Sequence, residues 1–288
     1  MQVEKLSKAS RQLFYKSPGA QIPRKFGTVG NSGNPVLRRN ETITLDDIPK
    51  SPGTDDPKRI IGDYFHPDCI EIDGVKKAID STARVVDPLH NSRGAGTIVK
   101  RNGEQYFVTA YHNVEAPLIS RAHDPVVFFH SSGTDDYLED NALLRIVPQL
   151  GGDCVIYSYD KDVESVGIAS DFKFEKIFPA CLIGFPVSFD PQVPSVSFGF
   201  VSYEKPSQVR LVFSPPEKFN SVTYYGCQSI GLFLGETEMG FSGAGVFNLR
   251  GEILGVHRGF DSLSYKKQPE TCGITRISHS IYTLFEGL

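Results

Sequence analysis

Short β-forming runs, separated by clusters of turn residues, recur along most of this chain and limit the folds open to it. Many short strands at such turn-punctuated spacing are typical of an antiparallel all-β barrel architecture. The predicted strands span residues 83–86, 94–100, 105–110, 125–130, 142–147, 153–158, 178–184, 196–203, 208–213, 229–234, 243–248, 252–257 and 272–277. The pattern also predicts a short helix at residues 75–79 and a terminal helix at residues 277–285, where the apolar residues share one face.

The segment Gly240-Phe241-Ser242-Gly243 places a serine in a tight turn between two apolar strands. A serine flanked by glycines is most often only a turn, so this segment needs support from elsewhere in the chain. The glycines also have a chemical use, because they let nearby backbone N–H groups point toward one spot. The N–H groups of Gly240 and Ser242 would then form an oxyanion hole.

Two upstream residues supply the groups that would activate this serine. His112 stands at the exit of a predicted β-hairpin, and Asp153 follows two glycines and precedes an apolar strand. A histidine of near-neutral pKa can take the Ser242 proton, and an aspartate can hold the imidazole in the required tautomer. Asp153 is the preferred third member because a buried strand follows it. The alternatives are three nearby aspartates, Asp135, Asp136 and Asp140.

The order of histidine, aspartate and serine along the chain resembles the catalytic triad of chymotrypsin-fold (PA clan) serine proteases. The resemblance covers roughly residues 80–285 and is closest to the viral 3C-like, sobemovirus and arterivirus serine proteases. A weaker similarity to Deg/HtrA protease domains lies in the loop Gly184-Phe185-Pro186 and in the strand at residues 198–202.

The resemblance implies an all-β fold of two antiparallel six-stranded β-barrels with a short C-terminal helix, and the activity of a serine endopeptidase. Residues 1–70 would form a basic, Pro/Gly-rich N-terminal arm or linker. Residues 71–170 would form the first barrel, which carries the histidine and the aspartate. Residues 171–288 would form the second barrel, which carries the serine and the specificity pocket.

Residues around the serine also resemble the pocket of viral 3C-like enzymes that cleave after Gln or Glu. Those enzymes carry a threonine five residues before the nucleophile, as Thr237 lies here, and a Gly-x-His-x-Gly strand after it, as at residues 255–259. The substrate-specificity residues that the resemblance implies are Thr237, His257, Arg258 and Gly259. The alternative is Glu236, six positions before Ser242, where cellular proteases that cleave after Lys or Arg carry an acidic residue.

The cysteines and the apolar runs exclude several classes of protein. The five cysteines are irregularly spaced and include no Cys-x-x-Cys pair, which argues against a metal site and against a disulfide framework. The N-terminus lacks a signal-peptide pattern, and no uninterrupted apolar run is long enough to cross a membrane. We therefore expect a cytoplasmic protein, in the host cytoplasm if viral, that uses no cofactor.

Charge is unevenly distributed along the chain. The net charge is -4, yet residues 1–50 carry nine Lys/Arg against four Asp/Glu. Such an arm suits weak contact with RNA, although a solvated leader is the simpler interpretation. Together with the resemblance, these features predict a serine endopeptidase that processes a viral polyprotein by cleaving after Gln or Glu. The alternatives are a Deg/HtrA-like cellular protease and a protease-like binding module that acts through its basic arm.

Overall fold

The computed structural model describes residues 36–52, 54, 56, 58–87, 92–114, 124–131, 133, 135–139, 143–146, 154–169, 177–190, 193–203, 230–260 and 271–275. Its strands are β1 (Leu37–Arg38), β2 (Tyr64–Phe65), β3 (Thr82–Asp87), β4 (Ser92–Arg101), β5 (Glu104–Thr109), β6 (Val126–Phe129), β7 (Asp135–Tyr137), β8 (Leu143–Ile146), β9 (Val155–Tyr159), β10 (Phe178–Gly184), β11 (Ser195–Tyr203), β12 (Ile230–Leu234), β13 (Gly245–Asn248), β14 (Ile253–Phe260) and β15 (Thr271–Thr275). The helices are α1 (Asp73–Asp80) and three 3-10 helices, at Leu45–Asp47, Pro67–Cys69 and Tyr111–Asn113.

The first sheet is antiparallel and has the strand order β7-β6-β3-β4-β5-β9-β8. Its β4–β5 hairpin turns at Asn102 and Gly103, whose φ angles of 52° and 91° are those of a two-residue Asn-Gly turn. This turn lets β5 run back along β4 and end at Thr109, immediately before the 3-10 helix that contains His112. The hairpin therefore delivers the predicted histidine to one edge of the sheet.

The second sheet contains a closed circuit of hydrogen-bonded strands. Its order is β1-β2-β11-β10-β13-β14-β15-β12, and β12 also pairs with β11. The circuit β11-β10-β13-β14-β15-β12 thus has six antiparallel strands, with β1 and β2 added at β11. Closure leaves no free edge among these six strands, which is the physical advantage of a barrel.

The prediction of two closed six-stranded barrels is confirmed only in its broader form, as an all-β fold of two sheets. The first sheet has seven strands in the described part of the chain, and its end strands β7 and β8 are not paired with each other there. The hairpin of β6 and β7 adds the extra strand. The predicted helix at residues 75–79 is present as α1, whose Val75, Ala78 and Ile79 are buried. The predicted strand at residues 208–213 and the terminal helix at residues 277–285 lie outside the described residues.

Many apolar side chains in the described part of residues 36–70 are buried in the core, whereas the sequence predicted an arm or linker through residue 70. The strand β2 pairs with β11, and Ile43, Ile60, Tyr64 and Phe65 are completely buried. One hydrophobic cluster joins this segment to both sheets. It includes Val108 of the first sheet and Phe198 of the second. Because the apolar residues of the segment are separated by Pro, Gly and Asp, they show neither helical nor strand periodicity in the sequence.

A partly buried ion pair between Arg38 and Asp63 also anchors this segment. Asp63 is 1% exposed, and its carboxylate accepts a hydrogen bond of 2.7 Å from Nε of Arg38 and one of 3.2 Å from the Val36 N–H. The pair satisfies a carboxylate that would otherwise be costly to bury. Within the described ranges, no helix is long and apolar enough to cross a membrane.

Candidate active site

The serine predicted to be the nucleophile lies in a tight turn before β13. Gly240 and Gly243 have φ angles of 103° and 83°, in the region that favours glycine. Backbone hydrogen bonds close the turn, from the Phe241 N–H to the Glu238 carbonyl (3.2 Å) and from the Ala244 N–H to the Phe241 carbonyl (2.9 Å). Ser242 itself is half-buried at this turn.

The predicted oxyanion-hole groups are the N–H groups of Gly240 and Ser242. Neither of them donates to a backbone carbonyl within the described residues. Two N–H groups on a turn that glycine holds in this conformation suit a developing negative oxygen, because the donors are in place before the reaction begins. The arrangement is compatible with the predicted role, which stays a prediction.

The side chain of Phe241 anchors the serine turn in the core. Its ring is completely buried and stacks on Tyr64 at a centroid distance of 5.4 Å. A Cβ atom at Gly184 would lie less than 3 Å from this ring, so the glycine of the Gly184-Phe185-Pro186 loop makes room for it. The same loop donates a hydrogen bond of 3.3 Å from the Phe185 N–H to the Gly240 carbonyl. Phe241 is therefore packed between two segments that are distant from it in the sequence.

The 3-10 helix that contains His112 and the serine turn meet at the junction of the two sheets. His112 is half-buried in the 3-10 helix Tyr111–Asn113. Its neighbour Asn113 donates a hydrogen bond of 2.7 Å from Nδ2 to the Ser242 carbonyl. The Ala95 N–H of β4 donates a second bond of 2.7 Å to the same carbonyl. The first sheet thus holds the backbone of the serine directly.

The third member of the predicted triad, Asp153, lies outside the described residues, as does the alternative Asp140. The following strand β9 begins at Val155, which pairs with Thr109 at the end of β5. The chain therefore enters β9 at the edge of the sheet from which His112 emerges. This pairing brings the start of β9 next to the end of β5, which is compatible with the predicted triad. The role of Asp153 stays a prediction.

Asp136 is another alternative for the third member of the triad. Its carboxylate already accepts hydrogen bonds from neighbouring residues of the first barrel region. Burial alone would raise the pKa of Asp136, but hydrogen bonds from Lys161, Tyr159 and the Tyr137 N–H outweigh burial and lower it. The Tyr159 hydroxyl donates to this carboxylate over 2.8 Å, and burial together with that bond raises the pKa of Tyr159. A carboxylate with these partners serves to stabilise the sheet.

Among the predicted specificity residues, His257 is hydrogen-bonded through its backbone to the serine turn. The His257 N–H donates to the Ala244 carbonyl (2.8 Å), and the His257 carbonyl accepts from the Gly243 N–H (2.7 Å). His257 is 1% exposed and Thr237 is 6% exposed. The register of β14 and β15 shifts between His257 and Gly259, so Arg258 lies at a bulge, and Gly259 pairs with Gly273.

Three residues outside the sequence-based candidates contribute to the site. Asn113 bonds to the Ser242 carbonyl, Tyr64 stacks on Phe241, and Ser197 donates a hydrogen bond of 2.6 Å to the carbonyl of Glu236, the residue before Thr237. Only Asn113 has a local signal, since it is a polar residue next to the candidate histidine. In the described part of the chain, no cluster of His, Cys, Asp and Glu could hold a metal ion.

A sequence model described as trypsin-like peptidase domain matches residues 94–256, a span that contains His112, Asp153 and Ser242. The chain belongs to the family of trypsin-like peptidase domains. It is accordingly a serine endopeptidase, as the sequence predicted. No curated protein matches the sequence.

Solved structures of proteases share the fold of this peptidase domain. An inactive serine-to-alanine mutant of Rv3671c from M. tuberculosis H37Rv aligns with a TM-score of 0.52 and 14% identity, over 74% of this chain and 89% of that one. The serine endoprotease from Yersinia pestis aligns with a TM-score of 0.51 and 17% identity, over 74% and 66% of the two chains. Deg5 aligns with a TM-score of 0.50 and 14% identity, over 73% and 90%. The predicted similarity to Deg/HtrA domains is confirmed for the fold.

The geometry of the serine turn predicts that Gly243→Ala will damage the peptidase severely. A Cβ atom at this position would lie less than 3 Å from the Ala95 carbonyl oxygen and from Thr109 Oγ1, and the φ angle of 83° is strained for alanine. Moving the serine by about 1 Å can cost about 10²-fold in rate. We expect a loss of at least that size in kcat, measured on a peptide substrate together with the melting temperature. Near-normal kcat in this variant would show that the turn does not depend on the close approach.

Proposed function

We propose that this serine endopeptidase cleaves polypeptides after Gln or Glu and that Ser242 is its nucleophile. In this proposal His112 takes the Ser242 proton, and Asp153 holds the imidazole and stabilises its charged form. The N–H groups of Gly240 and Ser242 stabilise the oxyanion of the tetrahedral intermediate. The bonds from Asn113 and Ala95 to the Ser242 carbonyl support these roles, because they join the His112 turn and strand β4 to the serine turn.

The observation that carries the specificity proposal is the burial of two polar side chains next to the serine turn. Thr237 and His257 are almost fully buried, and His257 exchanges backbone hydrogen bonds with Gly243 and Ala244. A hydroxyl and an imidazole N–H suit the side-chain oxygen of Gln or Glu. A site built for such a group rejects substrates that lack it, because the polar groups of the site then lose a partner.

A viral polyprotein in the host cytoplasm is the substrate that we propose. The support is a sequence resemblance. Thr237 and residues 255–259 resemble the pocket of viral 3C-like enzymes that cleave after Gln or Glu. The contact with RNA predicted for the basic arm stays a prediction, since residues 1–35 lie outside the described residues.

A Deg/HtrA-like cellular protease is the second candidate. It is favoured by the loop Gly184-Phe185-Pro186, whose Phe185 N–H bonds to the Gly240 carbonyl beside the proposed oxyanion hole. Enzymes of that group prefer small apolar residues before the scissile bond. Substrate preference therefore separates the two candidates.

The deciding experiment compares peptides that differ only at the residue before the scissile bond and carry Gln, Glu, Lys, Arg, Ala or Phe there. We expect kcat/KM to be highest for Gln and Glu. His257→Leu should lower kcat/KM on these two substrates by about 10²-fold, a rough figure for losing a buried polar contact of ~3 kcal/mol. Labelling of Ser242 by a small fluorophosphonate serves as the control, and it should continue because the reagent has no side chain for the pocket.

Other outcomes point elsewhere. A preference for Lys or Arg that disappears in Glu236→Gln would assign the pocket to Glu236. A preference for Ala would favour the Deg/HtrA-like candidate. Because His257 is buried, His257→Gln provides a variant that keeps a hydrogen-bond donor, and it should retain more activity on Gln substrates than His257→Leu does.

A further inference from the structure

The side chain of Asn113 is buried and hydrogen-bonded, although the residue lies in a short turn between strands. It follows His112 directly and is 3% exposed. Its Nδ2 atom donates to the Ser242 carbonyl over 2.7 Å and to Thr109 Oγ1 over 3.0 Å, and it lies 3.5 Å from the Ala95 carbonyl. One amide group therefore meets oxygen atoms from β5, β4 and the serine turn.

The surrounding oxygens determine which end of the amide points toward them. Carbonyl oxygens only accept hydrogen bonds, and Thr109 already uses its hydroxyl proton in a bond of 2.6 Å to the Ala95 carbonyl. The side chain at position 113 must therefore supply the donors. Asparagine does so with its amide, whereas an ionised aspartate of the same shape would face these oxygens with like charge.

Two glycines close around this amide. A Cβ atom at Gly94 would lie less than 3 Å from the amide group of Asn113, and one at Gly243 would lie less than 3 Å from its Nδ2. Gly94 belongs to the first sheet and Gly243 to the serine turn. The space for Asn113 is thus shaped from both sides of the junction.

The geometry points to Asn113 as a positioning residue for peptide hydrolysis. It is covalently joined to His112 and hydrogen-bonded to the backbone of Ser242, so it fixes the proposed base and nucleophile relative to each other across the junction of the two sheets. Asn113 and Ser242 are 129 positions apart in the sequence, which makes this a long-range constraint. The inference rests on the proposed roles of His112 and Ser242, and it is independent of the preference for Gln or Glu.

The test is the rate at which fluorophosphonate labels Ser242, measured with kcat and KM on a peptide. Asn113→Asp keeps the shape of the side chain but removes the donors. We expect labelling and kcat to fall by about 10- to 10²-fold with little change in KM, because the fault is one of alignment.

The pH dependence separates positioning from simple destabilisation. The carboxyl group introduced by Asn113→Asp is buried among acceptor oxygens, which raises its pKa, and its protonated form can donate one hydrogen bond. The labelling rate of Asn113→Asp relative to wild type should therefore rise as the pH falls from about 8 to about 6. The full pH profile is fitted for each protein, because a carboxylate next to His112 also shifts the pKa of that imidazole.

A pair of variants guards against loss of folding. Gly94→Ala should lower the melting temperature and kcat, because its Cβ atom collides with Asn113. Combining it with Asn113→Ala removes the collision, so the melting temperature should recover toward that of Asn113→Ala while kcat stays low. Gly167→Ala is the matched control, since nothing lies within 4 Å of a Cβ atom at Gly167.

The outcomes are distinct. If folded Asn113→Asp and the double variant both label at the wild-type rate, Asn113 has no positioning role, even if their melting temperatures fall. A relative rate for Asn113→Asp that does not change with pH would also overturn the inference. If the wild-type enzyme is not labelled at Ser242, the proposed nucleophile is wrong, and the inference fails with it.

Discussion

Replacing Ser242 with alanine is expected to lower the turnover of peptide hydrolysis by about 10⁴- to 10⁶-fold, the usual cost of removing the nucleophile from such a catalytic unit. The fold should stay intact, because the turn is held through the Ser242 carbonyl and the flanking glycines. The measurement is kcat on a peptide substrate, with fluorophosphonate labelling and melting temperature on the same preparations.

A matched serine elsewhere in the chain provides the control. Ser131 is exposed, and its hydroxyl donates a hydrogen bond of 3.2 Å to the Asp80 carbonyl, outside the serine turn. Ser131→Ala should keep its labelling and turnover. If Ser242→Ala cleaves at a rate near that of Ser131→Ala, the nucleophile proposed here is another residue.

Deleting residues 1–70 is expected to abolish folding and, with it, all peptidase activity. Full burial of an apolar side chain contributes about 1.5–3 kcal/mol, whereas the net stability of a domain is about 5–15 kcal/mol. The segment supplies enough such side chains to match that net stability. Those buried within it are Ile43, Ile48, Ile60, Ile61, Tyr64, Phe65, Cys69 and Ile70. Circular dichroism and thermal melting of residues 71–288 are the measurements.

Two further variants locate the cause. Deleting only residues 1–35 keeps all of these contacts and should leave a folded protein. Tyr64→Ala removes the ring that stacks on Phe241, and the loss of a large buried aromatic side chain typically costs about 3–5 kcal/mol. A folded and fully active protein from residues 71–288 would show that the segment is an arm after all.

Local sequence patterns were sufficient to predict most strands and the catalytic candidates. Strand alternation and turn residues act over a few neighbours, so the β4–β5 hairpin and its Asn102-Gly103 turn could be read directly from the sequence. The serine turn could be recognised for the same reason, because the glycines at positions 240 and 243 serve a conformation that only a few residues determine.

The packing of residues 36–70 could not be predicted in this way. Ile43, Tyr64 and Phe65 show no periodicity, and their burial depends on a surface formed by strands far along the chain. The size of Phe241 is likewise understandable only when Gly184 and Tyr64 are seen on either side of it.

The sequence by itself determined the strand pattern, the order of His112, Asp153 and Ser242, and the membership of a serine endopeptidase family, because each depends on residue type and spacing. Only the tertiary structure decided how the His112 turn and the serine turn are joined. They are linked by the hydrogen bond from Asn113 to the Ser242 carbonyl, between residues that are 129 positions apart. Such a contact joins segments that are far apart in the sequence, so no local pattern predicts it.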